Sequence, residues 1–188
     1  GFPKMKNAAA IIPAYNEEKY IGDVLSVLLP VEYLSEIIVV NDGSTDRTSE
    51  IARSFGVTVI DLPSNQGKGA AMRQGLLHTE ASVILFLDAD LIGLTSLQVC
   101  DLLLPVMQNY ADMTLGLFHS GRAVTDIAQK ITPFLTGQRA VKRWVLDALT
   151  EEDYKKPKYK NAQNTTYKRN PCYEGGEDGN CAGSSSTG

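Results

Sequence analysis

The sequence predicts an α/β fold, a mainly parallel central sheet with helices on both faces. Three observations lead there. Short runs of continuous apolar, often β-branched residues alternate with segments of helical period, the pattern of parallel strands buried on both sides. The polar motifs "PAYNEE", "NDGSTD" and "DAD" fall where three of those runs end, and sheets of this kind bind ligands beyond the carboxyl ends of their strands. A chain of 188 residues is long enough for one domain with a sizeable core and hardly for two.

The elements follow in order. Residues 8–14, "AAAIIPA", form a short apolar strand ending at a proline. In "EEKYIGDVLSVLL", Ile21, Val24, Leu25 and Leu28 recur at the spacing of one helical face. "SEIIVVND" is a second strand. "STDRTSEIARSFG" is a helix with Ile51, Ala52 and Phe55 as its stripe, capped by Ser44 or Thr45 and stopped by Gly56. "VTVIDL" is a third strand, and "NQGKGAAMRQGLLHTE" a loop and helix. "SVILFLDAD" is a fourth strand. "SLQVCDLLLPVMQ" is a helix bent or ended near Pro105, "ADMTLGLF" a fifth strand, and "VKRWVLDAL" an amphipathic helix with a basic face.

From Glu151 the text changes. Residues 151–188 hold no Val, Ile, Leu, Met, Phe or Trp and cannot build a core. The expected organisation is a domain over residues 5–150, with Met5 as the natural start, and a tail over 151–188 that is disordered or not native to the domain.

Eighteen Lys and Arg stand against 22 Asp and Glu, a net charge of −4. That balance argues against nucleic acid, whose binders show a basic face. No apolar run reaches the length of a membrane span, and the first residues lack the layout of a signal peptide. Cys100, Cys172 and Cys181 form no CxxC pair and have no histidine at ligand spacing. Cys100 sits in a helical apolar pattern as a small core residue. A cytoplasmic, reducing location is expected.

Two carboxylates, Asp88 and Asp90, close the run "VILFLDAD". On a continuing strand, residues two apart face the same side, so both would point at one spot. Such a pair resists joint ionisation without a compensating cation or hydrogen bonds. Mg²⁺ or Mn²⁺ suits it, a hard ion held by one or two carboxylates plus substrate phosphates. The bland alternative is a turn cap beside a solvated aspartate. In "VVNDGSTDRT", Asp42 leaves a strand before a tight turn at Gly43, placed to accept from a nucleobase N–H or merely to cap a helix. In "SNQGKGAAMRQG", Gly67 and Gly69 flank Lys68 at a helix start, where phosphate is attracted. The order is neither a P-loop nor a GxGxxG fingerprint.

Four segments, "IIPAYNEE" at 11–18, "VVNDGSTDRT" at 39–48, "NQGKGAAMRQG" at 65–75 and "LFLDAD" at 85–90, together resemble glycosyltransferase family 2 in order and spacing. A weaker likeness to the dolichyl-phosphate mannose synthase type continues over 116–143. The resemblance implies a GT-A fold and a nucleotide-diphosphate sugar donor, UDP- or GDP-linked. It implies a pocket lined by Pro13, Ala14, Tyr15 and Glu17, with Asp42 on the base and Gly67 and Lys68 near the nucleotide. Asp88 and Asp90 would be the DxD pair, Asp88 touching the nucleotide sugar and Asp90 the metal. The acceptor side is read from Arg122, Gln138 and Arg139, for a polyprenyl phosphate or a small phosphorylated acceptor. Peripheral attachment at the cytoplasmic membrane face and a homodimer are part of the same expectation.

Asp126 is a weaker carboxylate, expected on a solvated helix. "GQRAVKRW" has the Gln, Arg and Trp of the processive QxxRW signature at the wrong spacing, so polysaccharide synthesis is not expected. The alternatives are a nucleotide-sugar-binding relative without activity and a sugar-phosphate nucleotidyltransferase. The acidic "PAYNEE" loop disfavours the second, because a triphosphate calls for a basic glycine-rich loop.

Overall fold

Four strands enter one rim of the sheet with their carboxyl ends. The computed structural model describes residues 7–116 and 137–148. Its order of elements is β1 (Ala8–Ala14), α1 (Ile21–Leu28), β2 (Leu34–Asn41), α2 (Thr48–Ser54), β3 (Thr58–Asp61), α3 (Lys68–Leu76), β4 (Val83–Phe86), α4 (Ser96–Met107), β5 (Met113–Gly116), β6 (Gln138–Lys142) and α5 (Arg143–Asp147). The sheet runs β3-β2-β1-β4-β6-β5. β1 pairs in parallel with β2 and β4, and β2 with β3, whereas β6 runs antiparallel to both β4 and β5. Chain order therefore reverses between β1 and β4, the crevice where open α/β sheets take ligands.

Each strand divides its side chains between two cores. Ala8, Ala10, Ile12 and Ala14 face one cluster, with Val24, Leu25 and Leu28 of α1, Ala52 of α2 and Val99 and Leu103 of α4. Ala9 and Ile11 face the other, with Ala71, Met72 and Leu76 of α3 and Leu146 of α5. This period of two, with both sets buried, is why the strands read as unbroken apolar runs. β1 is the central case, with Ala8 to Ile12 all 0% exposed. The expected mainly parallel sheet with helices on both faces is thus present.

Three local expectations change. β4 stops at Phe86, so Asp88 and Asp90 lie on the turn beyond it and not on a strand. The bonding to β1 runs one step past Phe86, with the Leu87 N–H donating to the Ile11 carbonyl at 3.2 Å, and stops where the Asp88 N–H turns to a side chain, described below. Neither Ser44 nor Thr45 caps α2. The helix opens at Thr48, and Asp46 accepts from the Thr48 N–H at 3.0 Å. α4, by contrast, ends near Pro105 as expected, two residues on at Met107. Val141 and Lys142, expected at the start of a helix, instead close strand β6 (Gln138–Lys142), and only Arg143–Asp147 is helical. Antiparallel pairing on the edge of β4 overrides the helical pattern there.

Two basic residues of "VKRWVLDAL" hold this edge together. Lys142 pairs with Asp112 at 2.9 Å. Arg143 donates from Nη1 to the Thr79 carbonyl, the latter 2.5 Å away, and from Nη2 to the Leu76 carbonyl at 3.3 Å. Arg143 thereby satisfies carbonyls that the end of α3 leaves open. Arg122, Asp126 and residues 151–188 lie outside the described residues.

α3 lies close on the sheet because Gly75 has no side chain. A Cβ there would stand 2.5 Å from Ile11 Cγ2 and 3.2 Å from Val40 Cγ2. Alanine would gain about 1 kcal/mol of helix propensity, but overpacking costs about 1–3 kcal/mol, and Ile11 is a stiff, fully buried neighbour. Gly75→Ala is expected to lower the urea midpoint modestly and Gly75→Val to lower it more. A midpoint at or above wild type for Gly75→Val would refute this packing.

Candidate functional site

The rim at the carboxyl ends of β1, β2 and β4 carries two linked constructions. The first is a clasp between the loops that follow β1 and β2. Asn16, in the left-handed region at φ +54°, donates its N–H to Ser44 Oγ at 2.9 Å and accepts the Thr45 N–H at 2.9 Å. The Glu17 N–H meets Thr48 Oγ1 at 2.9 Å. The Glu18 N–H meets Asp46 at 3.1 Å, and the Glu18 carboxylate accepts the Arg47 N–H at 3.1 Å. Exposed loop amides are thus satisfied by short polar side chains of the facing loop. Tyr15 stands out of this clasp at 46% exposure, above the buried Ala14, with Pro13 half-buried on β1.

The second construction crosses the rim from β2 to β6. Asp42 is 3% exposed. Its two oxygens accept the backbone N–H groups of Gln66 at 2.7 Å and Gly67 at 2.9 Å. Gly43 beside it has φ +73°, and a Cβ would come within 2.6 Å of the Asn65 nitrogen, so the loop over 64–67 lies directly on this turn. Gly67, at φ +93°, then opens α3 at Lys68. Lys68 Nζ makes an ion pair with Asp88 Oδ1. Asp88 is also held by Gln138, whose Oε1 accepts the Asp88 N–H at 2.8 Å and whose Nε2 donates to Asp88 Oδ2 at 3.1 Å.

The structure therefore brings Asp42, Gly67, Lys68, Asp88 and Gln138 into one connected series. Asp90 lies half-buried on the same turn, and its side chain makes no hydrogen bond or ion pair among the described residues. Arg139 is not brought to this point. It is 6% exposed, with its guanidinium 5.3 Å from the Phe86 ring centre and Nη2 4.0 Å from Met72 Sδ. Among the described residues its guanidinium thus meets Phe86 and Met72. Gln138 is turned toward Asp88. Sequence reasoning missed the service of Asn16, Asp46 and Thr48 in the clasp. The signal was available in their types, since Asn, Asp and Thr favour such side-chain to backbone bonds.

Among the described residues no group of three or more His, Cys, Asp or Glu could enclose a metal. Two carboxylates on one turn nevertheless fit Mg²⁺ or Mn²⁺, which keep several positions for water and phosphate oxygens. Asp90 supplies a carboxylate with no partner among the described residues, and Asp88 one already balanced by Lys68.

Burial works to raise the Asp46 carboxyl, but the Thr48 hydroxyl and the N–H groups of Thr48 and Glu18 together outweigh it and hold the group below its ordinary value. Burial likewise works to raise Asp61, where Asn41, Ser49 and Arg53 prevail and lower it. A carboxyl depressed on folding lends stability that is present above its unfolded pKa, about 3.9, and is lost as pH falls through the folded value. In Asp46→Asn the stability lost between pH 5 and 2 should be smaller than in wild type. Parallel denaturation curves across that range would refute the assignment.

The chain matches the family model described as Glycosyl transferase family 2 over residues 9–176. Among curated proteins, 4,4'-diaponeurosporenoate glycosyltransferase of Staphylococcus aureus is 43% identical over 90 residues, 45% of this chain and 24% of the relative. Among solved structures, glucosyl-3-phosphoglycerate synthase from Mycobacterium tuberculosis, with Mn²⁺, UDP and phosphoglyceric acid, superposes at TM-score 0.64 and 27% identity, over 77% of this chain and 58% of that one. A structure of the same synthase with Mg²⁺ and UDP gives 0.63 and 27%, over 77% and 59%. The chain thus spans about a quarter of the length of the curated relatives and under two thirds of the structural ones.

Proposed function

Because the chain belongs to glycosyl transferase family 2, we propose that it carries the donor-binding part of a metal-dependent glycosyltransferase. The donor is a nucleotide-diphosphate sugar, with UDP the first candidate because the solved neighbours hold it. The observation that carries this reading is the rim itself. Lys68 at the start of α3 and the Asp88–Asp90 turn converge at the β1/β4 crevice. A half-exposed ion pair such as Lys68 to Asp88 adds at most about 1 kcal/mol to stability. Its place at the crevice is thus better explained by a ligand than by the fold.

Each residue has a task in this reading. Tyr15, projecting above Pro13 and Ala14, offers a face on which a base can lie. Glu17 stands on the clasp beside it. Asp42 holds the 66–67 loop and, through its remaining lone pairs, meets the base at the rim. Gly67 and Lys68 present a helix N-terminus and an ammonium to the diphosphate. Asp90 and Asp88 would hold the divalent ion, which when bound supplies Lewis-acid stabilisation of the leaving diphosphate. In transfer, the bond from sugar C1 to the diphosphate oxygen breaks and its electron pair leaves with that oxygen. A bond from the acceptor oxygen to C1 forms. Lys68 is placed to meet the charge that develops.

The described residues offer Asp90 as the one carboxylate on the turn without a partner, and it is assigned to the metal. An acceptor that arrives already anionic, a phosphate or a carboxylate, needs no general base. The names of the relatives fit this chemistry, one a carboxylate and one a phosphoglycerate. Attachment at a cytoplasmic membrane face and self-association belong to the same proposal. Among the described residues no helix is long and apolar enough to cross a membrane.

The deciding experiment is calorimetric titration with UDP, GDP and their glucose and mannose conjugates, with and without Mn²⁺. Metal-dependent binding of one nucleotide is expected, and binding of none would refute the reading. Binding without transfer to any anionic acceptor would instead favour an inactive relative. Asp90→Asn should cost at least about 100-fold in turnover, the scale of a lost transition-state electrostatic contact, with an unchanged melting temperature. Wild-type turnover in excess EDTA would sink the metal's part.

A further inference from the structure

We propose that Gln138 is the positioning residue of the Asp88 turn, fixing that carboxylate for the diphosphate site through both ends of its side-chain amide. This rests on the reading of the Asp88–Asp90 turn given above. The β4–β6 ladder ends with Phe86 opposite Arg139. Continued one step, that register would set Gln138 beside Leu87, but the pairing stops where the chain turns toward Asp88. The Gln138 side chain carries the pairing past that end. Its Oε1 takes the Asp88 N–H at 2.8 Å, as a main-chain carbonyl would in a longer strand, and its Nε2 donates to Asp88 Oδ2 at 3.1 Å.

Both halves of one amide are spent on one residue, which fixes the turn's backbone and the carboxylate's rotation together. The amide's orientation follows from chemistry. Flipped, it would set Nε2 against the Asp88 N–H and Oε1 against the carboxylate, two repulsive contacts in place of two bonds. With Oδ2 held, Oδ1 is left for Lys68. Gln138 is 4% exposed, whereas the Asp88 side chain is 27% exposed, so the amide supports the carboxylate from behind. No other common side chain replaces it. Glutamate keeps the length but sets a second carboxylate against Asp88. Asparagine is one methylene short, and methionine keeps the bulk without either bond.

The test uses the full chain, with Gln138→Ala, Gln138→Glu and Gln138→Met, Asp88→Ala, and the double variant Asp88→Ala/Gln138→Ala. Amide hydrogen exchange at Asp88, read without metal, should quicken at least tenfold in Gln138→Ala and Gln138→Met, with β1 and β2 protected as in wild type. Mn²⁺ binding in the presence of UDP, read from the free-ion paramagnetic resonance signal, should weaken at least tenfold in all three single Gln138 variants. Gln138→Ala should add no further loss on the Asp88→Ala background, because its effect runs through that residue. Gln138→Met and Gln138→Glu keep the volume, so either serves if the alanine variant unfolds. Unchanged exchange at Asp88, or an equal loss of Mn²⁺ binding with and without the Asp88 side chain, would overturn the proposal. Wild type that binds no Mn²⁺ with UDP would instead overturn the donor-site reading, while exchange at Asp88 still decides the role of Gln138.

Discussion

The rim depends on one buried charge. Asp42 has left water almost completely, a transfer that costs several kcal/mol for an uncompensated ion. Two backbone N–H groups, of Gln66 and Gly67, offset that cost with charge-assisted hydrogen bonds. They do so only if the loop before α3 lies directly over the turn after β2, and Gly43 is what permits that approach. Once Gly67 is fixed, the first residue of α3 is fixed, and with it the reach of Lys68 to Asp88. A local electrostatic demand at the end of β2 thus decides where an ammonium stands two strands away.

The second loop system works in the same way, with hydroxyl, amide and carboxylate oxygens as the acceptors. The backbone N–H groups of each loop meet side-chain oxygens of the other, through Asn16, Ser44, Asp46 and Thr48. Neither loop could satisfy its amides alone without water. Joined, they hold the stretch from Tyr15 to Glu18 in one conformation at the mouth of the crevice. Loops placed in this way on a rigid sheet are where binding residues are expected. The left-handed Asn16 is a residue type that tolerates such a backbone.

Much of this was legible in the sequence because it is local. The buried stripe of α1 follows from Ile21, Val24, Leu25 and Leu28 alone, and β1 from an apolar run that ends at a proline. The polar motifs could be assigned to one rim because a parallel sheet sends every strand's end the same way. What stayed hidden is long-range. Nothing near Gln138 signals a strand, since β6 exists through its pairing with β4 and β5. Its partner Asp88 lies 50 residues away in sequence. The same distance hid the burial of Arg139, whose ring contact comes from Phe86 across the sheet. The two aspartates were placed on a strand because the apolar run gives no sign of where pairing stops. That limit is set where the Asp88 N–H leaves the ladder for the Gln138 side chain, although β1 itself runs on to Ala14.

The puzzle of two aspartates on one turn has a resolution in two parts. Asp88 does not confront Asp90 as a bare charge, because Lys68 neutralises it and Gln138 fixes its direction. The turn therefore presents close to one net negative charge, carried by Asp90, and not two. A lone half-exposed carboxylate is a weak trap for a divalent ion by itself, since Mg²⁺ and Mn²⁺ give up water reluctantly. Added phosphate oxygens change that balance, because they bring both ligands and charge. It follows that metal and diphosphate should bind with strong positive coupling, each raising the affinity for the other by the same factor. In the proposed donor site Lys68 would contribute from the other side, by offering the diphosphate a cation already fixed at the start of α3. The helix start, the turn and the buried amide behind it are thereby parts of one electrostatic arrangement, completed by a ligand that carries its own negative charge.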